Sequence, residues 1–503
     1  MLRKTLVILS VPGAALAEPV QPVFEPVEIT PHVYDGGWEH FVGGGVAAFD
    51  CDGDALPELY AAGGVNPATL FRNRSDGAVR FVADTPEALA ITGVTGAYPL
   101  DIDGDGLMDL AVLRVGEDRL LKGLGDCTFT TFGDDLGFTS DDHWTTAFSA
   151  TWEAGEALPT LAFGTYVDRA DPEGPFGACD ATLLYRPEGA RYGPAERLEP
   201  GFCALSMLFS DWNRSGSADL RMSNDRHYYV RGGQEQLWQM GETPRLYTED
   251  EGWRPYALWG MGIASRDVTG DGFPDVYLTS MGDQKFQVFD PDAGGPTWRD
   301  ATYERGTTAH RPHMGSDGRP STGWHSAFGD VNNDGRDDIF VAKGNVEQMP
   351  DAAMEDPNTL LLQTERGDFV ERSVEAGIAS MARSRGAALA DFDNDGRLDL
   401  AVVNRRGPME VFRNVTEGGN WLLVDVAGVG TNTRAVGSFI ELRMGDRVQT
   451  REITVGGGHA GGQAGFEHFG LGDEERAELR VIRPDGTSSA WLAVTANQIV
   501  SVP

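Results

Sequence analysis

Asp101, Asp103, Asp105 and Asp109 occupy positions one, three, five and nine of a short acidic stretch, with Gly104 and Gly106 between them. Asp391, Asp393, Asp395 and Asp399 repeat the spacing around Asn394 and Gly396. Carboxylates at those positions of a tight turn form an oxygen cage for a hard cation, and Ca²⁺ is the cation whose coordination such a cage suits. The backbone oxygens of Leu107 and Arg397, at position seven, are expected to complete the two cages. Position twelve is Val112 in one loop and Val402 in the other, not the bidentate Glu of a helical hand. The residues that follow are β-formers, so the cation would tie a strand-to-strand turn.

The loop returns along the chain. Asp50, Asp52, Asp54 and Glu58 form one copy, with the Leu56 carbonyl. Asp267, Thr269, Asp271 and Asp275 form another with Phe273, and Asp330, Asn332, Asp334 and Asp338 a third with Arg336. Asp211, Asn213, Ser215 and Asp219 make a weaker copy, open between a weak site and a hydrogen-bonded turn. About five Ca²⁺ sites are expected, six if the loop at 211 binds. Asp and Gly favour turns without any metal; recurrence in phase is what argues for ligation.

Elements must hold these loops in place. A strand of small residues precedes most of them, as in Gly386-Ala-Ala-Leu-Ala390, and a β-rich run such as Val276-Tyr-Leu278 follows. Between 101 and 211 lies a gap of two periods, where Ala147-Phe-Ser-Ala150 and Pro159-Thr-Leu-Ala-Phe163 keep the apolar frame without its carboxylates. This is read as a repeat that lost its site, registered near Ala150. Seven units follow, which predicts an all-β chain with a seven-bladed β-propeller. From Asn420 the acidic loops stop, and alternating strands predict a small β-sandwich-like or barrel-like C-terminal domain. The expected division is a signal peptide over 1–17, the propeller over 18–417 and the C-terminal domain over 418–503.

The in-phase loops resemble FG-GAP/VCBS repeats, the calcium-loop blades of integrin-α-like propellers, over roughly residues 35–415. The C-terminal part resembles an ASPIC/UnbV domain through Asn420-Trp-Leu, Asn432-Thr-Arg434, Gly437, Arg451-Glu452, His468-Phe-Gly-Leu-Gly472, Pro484-Asp-Gly486 and Ala496-Asn-Gln498. Together they are similar to the cartilage acidic protein family, bacterial branch. The resemblance implies an exported propeller that binds or adheres. Two departures are the glycine-heavy Gly456-Gly-Gly-His459-Ala-Gly-Gly462 and Arg483, where an aromatic is common.

The formal net charge of −36 makes phosphate backbones and anionic lipid poor partners, so neither nucleic acid nor an acidic membrane is expected. Arg3 and Lys4, the apolar Leu6–Val11, the Pro12-Gly13 break and Ala15-Leu16-Ala17 read as a secretory signal, so a periplasmic or extracellular location is expected. No later stretch approaches the ~18 apolar residues of a membrane span. Cys51, Cys127, Cys179 and Cys203 allow two disulfides; local pairing would join 51 to 127 and 179 to 203, with all three connectivities open. Arg366-Gly-Asp368 falls where the repeat expects a hairpin and reads as a turn. His143-Trp144, His227-Tyr-Tyr229, Trp253, Trp259, His310, His313 and His325 lie between the repeat's regular positions and read as packing of insertions, with a ligand surface as the alternative. Gly456–Gly462 reads as a loose turn, with close approach to a ligand as the alternative.

No nucleophile elbow, P-loop, dinucleotide fingerprint or zinc-protease helix occurs, which leans against an enzyme. The leading expectation is a calcium-binding, monomeric binding or adhesion module for an extracellular protein or glycan. The alternatives are a calcium-dependent carbohydrate-active enzyme of the polysaccharide-lyase kind and a structural matrix component.

Overall fold

The chain folds around a ring of antiparallel sheets. A computed structural model describes residues 18–171, 178–225, 232–315 and 317–503. The signal-type segment 1–17 and His227-Tyr-Tyr229 lie outside the described residues.

Each acidic loop joins the first and second strands of a sheet. The first strands are Val46–Phe49, Val94–Leu100, His143–Thr151, Ala204–Ser210, Gly260–Arg266, Gly323–Gly329 and Ser384–Ala390. Each is the innermost strand of a four-stranded antiparallel sheet. The third sheet joins the second only where His143 and Trp144 pair with Gly116 and Val115. The first strands lie side by side in one closed cycle, with Ser384–Ala390 back against Val46–Phe49. This is a propeller, and its last sheet is completed by the N-terminal strand Phe24–Val27, paired with Glu410–Asn414. Small side chains let the first strands converge, and six of the seven carry a register shift near their starts. Such bulges bend a strand and re-aim its side chains. The apolar core sits between neighbouring sheets: Phe49, Leu59 and Phe71 of the first meet Leu110, Leu121 and Phe129 of the second.

The eroded repeat is a complete sheet. Thr151 pairs with Thr160, as Ser210 pairs with Asp219 and Leu100 with Asp109. Position one of the erased loop is therefore Trp152 and position nine Thr160, two residues beyond the expected register near Ala150.

Residues 420–503 form two facing sheets. Asn420–Val426 pairs with Glu467–Gly472 and Gln498–Val502, while Phe439–Met444, Arg447–Glu452, Arg476–Ile482 and Leu492–Thr495 form the other. Leu422, Val424, Ile440, Leu442, Phe469 and Leu479 fill the space between them. The result is a sandwich; the two sheets do not close into a barrel.

Both disulfides join neighbouring sheets, Cys51–Cys127 the first to the second and Cys179–Cys203 the third to the fourth. Arg366-Gly367-Asp368 sits in a hairpin, where Thr364 N–H donates to the Asp368 carbonyl and Gly367 takes φ +79°.

Candidate metal centres

The nine-residue loops share one internal scheme. The position-one carboxylate accepts backbone N–H groups from positions four to six. Asp101 takes Gly104 and Asp105 on Oδ1 and Gly106 on Oδ2, and Asp391 takes Asp395 and Gly396. The position-nine carboxylate spans the sheet. Asp109 accepts from Ile102 N–H and from Gly123 N–H on the third strand; Asp399 does the same with Phe392 and Asn414, and Glu58 with Cys51 and Asn73. Position five caps position seven, as Asp54 does for Leu56 N–H.

Positions one, three and nine converge. Asp50, Asp52 and Glu58 offer one oxygen each within 4.8 Å of one another, as do Asp101, Asp103 and Asp109, and Asp391, Asp393 and Asp399. Asp54, Asp105 and Asp395 stand outside these triads. In the loops at 267 and 330, position three is Thr269 or Asn332, so the acids number fewer. Asn332 turns its Oδ1 to Asp334 N–H. At 211 the protein satisfies the carboxylates itself. Asp219 accepts from the Trp212 indole, the Tyr247 hydroxyl and Met240 N–H, and Asp211 from Ser215 and Gly216. These donors are the ones a hydrogen-bonded turn requires.

Electrostatics bear on whether a cation suits the five acid-rich loops. Burial, followed by the neighbouring carboxylates, pushes Glu58 up to about 7. Burial does the same to Asp109, Asp275 and Asp391, each to about 7, and raises Asp267 to about 6. Asp330, Asp338 and Asp399 are raised well above the usual carboxylate range, again chiefly by burial. Oδ1 of Asp52, Oδ1 of Asp393 and the hydroxyl of Thr269 are buried with no hydrogen-bond partner, and all three stand at position three. Sets of crowded, desolvated oxygens of this kind fit a hard dication. The named side chains would hold it, and it would supply charge neutralisation.

Basic residues on the third strand also reach the loops, a feature the spacing did not reveal. Lys122 contacts Asp103 and Asp105, Arg74 lies 3.4 Å from Asp52, and Arg413 lies 2.7 Å from Asp393. They offset part of the repulsion that the acidic spacing alone predicts. A second unforeseen device links loop to loop. Position four sits at positive φ, 57° in Arg214, 55° in Asn333 and 54° in Asn394. Each of these side chains donates to the position-six carbonyl of the next loop: Arg214 to Gly272, Asn333 to Gly396 and Asn394 to Ala55. Asn is among the few residues that tolerate this conformation readily.

The acidic face is covered by the C-terminal sandwich. Thr433 donates to Asp101, and Glu452 accepts from Ser210 hydroxyl and Asp211 N–H at 2.6 and 2.7 Å. Arg451 pairs with Asp337 at 2.9 Å, His468 Nε2 meets the Gly396 carbonyl at 3.0 Å, and Gly472 N–H donates to Asn333. A Cβ at Gly470 would fall 1.8 Å from Asp330 Oδ2, and one at Gly396 within 2.0 Å of the Trp421 ring.

Family comparison adds to this geometry. Residues 428–503 match ASPIC and UnbV, and residues 50–112, 267–341 and 330–402 match the FG-GAP-like repeat. Cartilage acidic protein 1 of Mus musculus is 26% identical over 179 residues, 33% of this chain and 25% of that protein. The Homo sapiens protein is 25% identical over the same length, 33% of this chain and 24% of that one. The chain carries the domain architecture of the cartilage acidic protein family. The matched region spans about a quarter of those relatives' length. Among solved structures, the BBS1N chain crystallised with ARL6DN has a TM-score of 0.43 at 12% identity, covering 78% of this chain and 97% of that one. The WD40 domain of Toxoplasma gondii coronin has 0.42 at 10%, covering 80% and 88%.

Thr433, Arg451, Glu452, His468, Gly470 and Gly472, all within the stretches that resemble the family, are residues through which the sandwich docks. The departure from the family pattern is docked as well. Val455–Gln463 runs into the propeller axis and meets the first strands of all seven sheets. Gly456–Gly462 is therefore not a loose turn: it is packed on the first strands, and one side of it lines a cleft beneath the sandwich. At its tip, fully buried His459 accepts Gly43 N–H on Nε2 and donates from Nδ1 to the Met261 carbonyl at 3.3 Å. Its own N–H donates to His325 Nδ1 at 3.0 Å. Burial lowers His459 to about 3 and His325 to about 4, so both are neutral. Of the other histidines and tryptophans singled out in sequence, several have packing or ion-pair partners of their own. His143 pairs with Asp180, Trp144 packs on Phe41 and Tyr166, Trp253 on Trp298, and His313 lies 3.2 Å from Glu371.

Proposed function

We propose that the chain is an exported, calcium-stabilised propeller that serves as a binding or adhesion module for an extracellular protein or glycan. The converging carboxylate triads at the same place in three sheets, under a docked second domain, carry this reading. In it, Ca²⁺ is structural: it secures the loops on which the sandwich rests. The axis is plugged and the sandwich sits over the acidic face, leaving only a cleft beneath it, so the opposite face supplies the broad contact surface. There Trp38 is 45% exposed beside Arg169, which bridges Glu39 and Asp142. Export is supported by the signal-type segment 1–17 and by two disulfides, which persist in oxidising compartments.

A glycan array in Ca²⁺, followed by product analysis of any hit, tests the reading, alongside pull-downs with and without Ca²⁺. Retention without turnover supports a binding module. Turnover would replace it with the carbohydrate-active enzyme. Failure to retain any glycan or protein in either assay would sink it.

A further inference from the structure

Between the propeller's acidic face and the sandwich lies a cleft of about 500 Å³, a size within the usual range of small-molecule sites. Its floor includes Ile263 and Leu389, and its walls include Arg266, Arg434, Asp425 and Glu467. Arg266 is out of pattern. It is the last residue of its first strand, where the other sheets carry Phe49, Leu100, Thr151, Ser210, Gly329 and Ala390. Its side chain is 16% exposed, yet the guanidinium makes no hydrogen bond among the described residues. Its nearest carboxylates are Glu467 at 3.7 Å and Asp337 at 3.9 Å, and Asp337 is already held by Arg451 at 2.9 Å. Across the cleft Arg434 stands 3.7 Å from Asp425, again beyond hydrogen-bond range. Neither the Asp425 nor the Glu467 carboxylate accepts a hydrogen bond from any described residue.

A largely desolvated guanidinium without hydrogen bonds is costly, and a planar carboxylate satisfies it in bidentate fashion. Carboxylates without donors, on the same walls, suit hydroxyl groups. We propose that this cleft binds a small polyhydroxylated carboxylate, a sugar acid, with its carboxylate on Arg266 and its hydroxyls on Glu467 and Asp425. The proposal names a site and a ligand class for the glycan arm of the binding reading and rests on that arm alone. None of the three contact residues is a candidate metal ligand, although Asp50, Asp52 and Asp391 line the same cleft.

The test is calorimetric titration of the full chain in CaCl₂ with sodium glucuronate, glucose and acetate. Glucuronate should bind, with glucose and acetate at least tenfold weaker, since one lacks the carboxylate and the other the hydroxyls. Arg266→Met should weaken glucuronate at least tenfold, with Arg266→Lys recovering part of the loss. Asp425→Ala, which removes a half-buried side chain that accepts no hydrogen bond, provides a second variant should Arg266→Met misfold, and it should weaken glucuronate but not acetate. Equal affinity for glucuronate and glucose, undiminished binding by both variants, or no binding of glucuronate would each overturn the proposal. A glycan or protein partner retained equally by Arg266→Met and the parent would overturn it while leaving the binding reading intact.

Discussion

Gly45 and Gly96 allow the axial plug to seat, and replacing either with alanine should unseat it. An ideal Cβ on Gly45 would lie 1.7 Å from the Ala460 carbonyl oxygen and 2.3 Å from its carbon; on Gly96 it would lie 1.8 Å from the same oxygen. These obstacles are backbone atoms on both sides, inside a closed ring, so neither can swing aside as a side chain could. Overpacking a tight interior costs typically 1–3 kcal/mol and occasionally more. Displacing the plug also loses the Ala97 N–H bond to Ala460 O and the Gly43 N–H bond to His459, at about 1 kcal/mol each. The expected loss for Gly45→Ala is therefore about 3–5 kcal/mol. A chain of this size gains roughly 1 kcal/mol/K of unfolding entropy if it melts as one unit. The shift in Tm is then only about 3–5 °C, so urea unfolding followed by fluorescence is the sharper assay. Limited proteolysis should show new cleavage within 455–464, which is shielded in the parent. Gly241→Ala is the control, with no left-handed φ and only the Thr243 carbonyl oxygen near its Cβ, at 3.9 Å, and should stay within about 0.5 kcal/mol of the parent. If Gly45→Ala and Gly96→Ala matched Gly241→Ala in both assays, the plug would not be seated as described.

Removing Ca²⁺ by dialysis against chelator should lower Tm, because a ligand bound only to the folded state stabilises it by mass action; an unchanged melting curve would argue against filled structural sites. Bound calcium measured by mass spectrometry should fall by one ion per chain in Asp399→Asn and stay constant in Asp219→Asn, whose carboxylate is occupied by protein donors. Loss of Cys51–Cys127, which spans 76 residues, should cost about 4.5 kcal/mol against about 3.4 kcal/mol for Cys179–Cys203, which spans 24, from loop entropy alone; paired Cys→Ser variants in urea would reveal a reversed order. His459 has a folded pKa depressed to about 3, so its contribution is present above the ordinary value of about 6.5 and is lost as pH falls below it. At pH 5.5 that is about 1.4 kcal/mol, and His459→Asn should be blunted in its pH dependence between 7.5 and 5.5 relative to the parent, a comparison in which the raised loop carboxylates, acting in the opposite sense, cancel.

The acidic loops, their strands and the change of character near Asn420 are periodic features, and periodicity is what a single chain displays. The register of the erased repeat slipped by two residues because Trp152 and Thr160 keep no ligand chemistry, and only the pairing of Thr151 with Thr160 locates it. The lateral bonds from Arg214, Asn333 and Asn394 were within reach, since a non-glycine residue at a position taken elsewhere by Gly53, Gly104 and Gly270 invites the question of what its side chain does. Docking was not within reach. Thr433, Glu452 and His468 look like residues of a module's own core until two distant stretches are superposed in space. Gly456–Gly462 illustrates the same limit: glycine is equally at home in a loose turn and in a passage too narrow for a side chain, and the neighbours that decide between them, Gly45, Gly96 and Met207, come from three different sheets. Arg266 could be seen only once the first strands were aligned by their pairing.

The strand Phe24–Val27 has a consequence for time as well as for shape. Its partner, Glu410–Asn414, emerges almost 390 residues later, so bringing the two together costs about 5 kcal/mol of loop entropy unless intervening sheets have already shortened the path. During synthesis the strand Phe24–Val27 must wait, unpaired, for most of the chain. Until then the last sheet presents Glu410–Asn414 as a bare edge, the kind of surface that recruits other chains. A nascent or truncated molecule ending short of residue 414 is thus an open ring with one orphan strand, and its hazard is joining with a neighbour in place of itself. The vulnerable interval in this protein's life ends when its beginning meets its end.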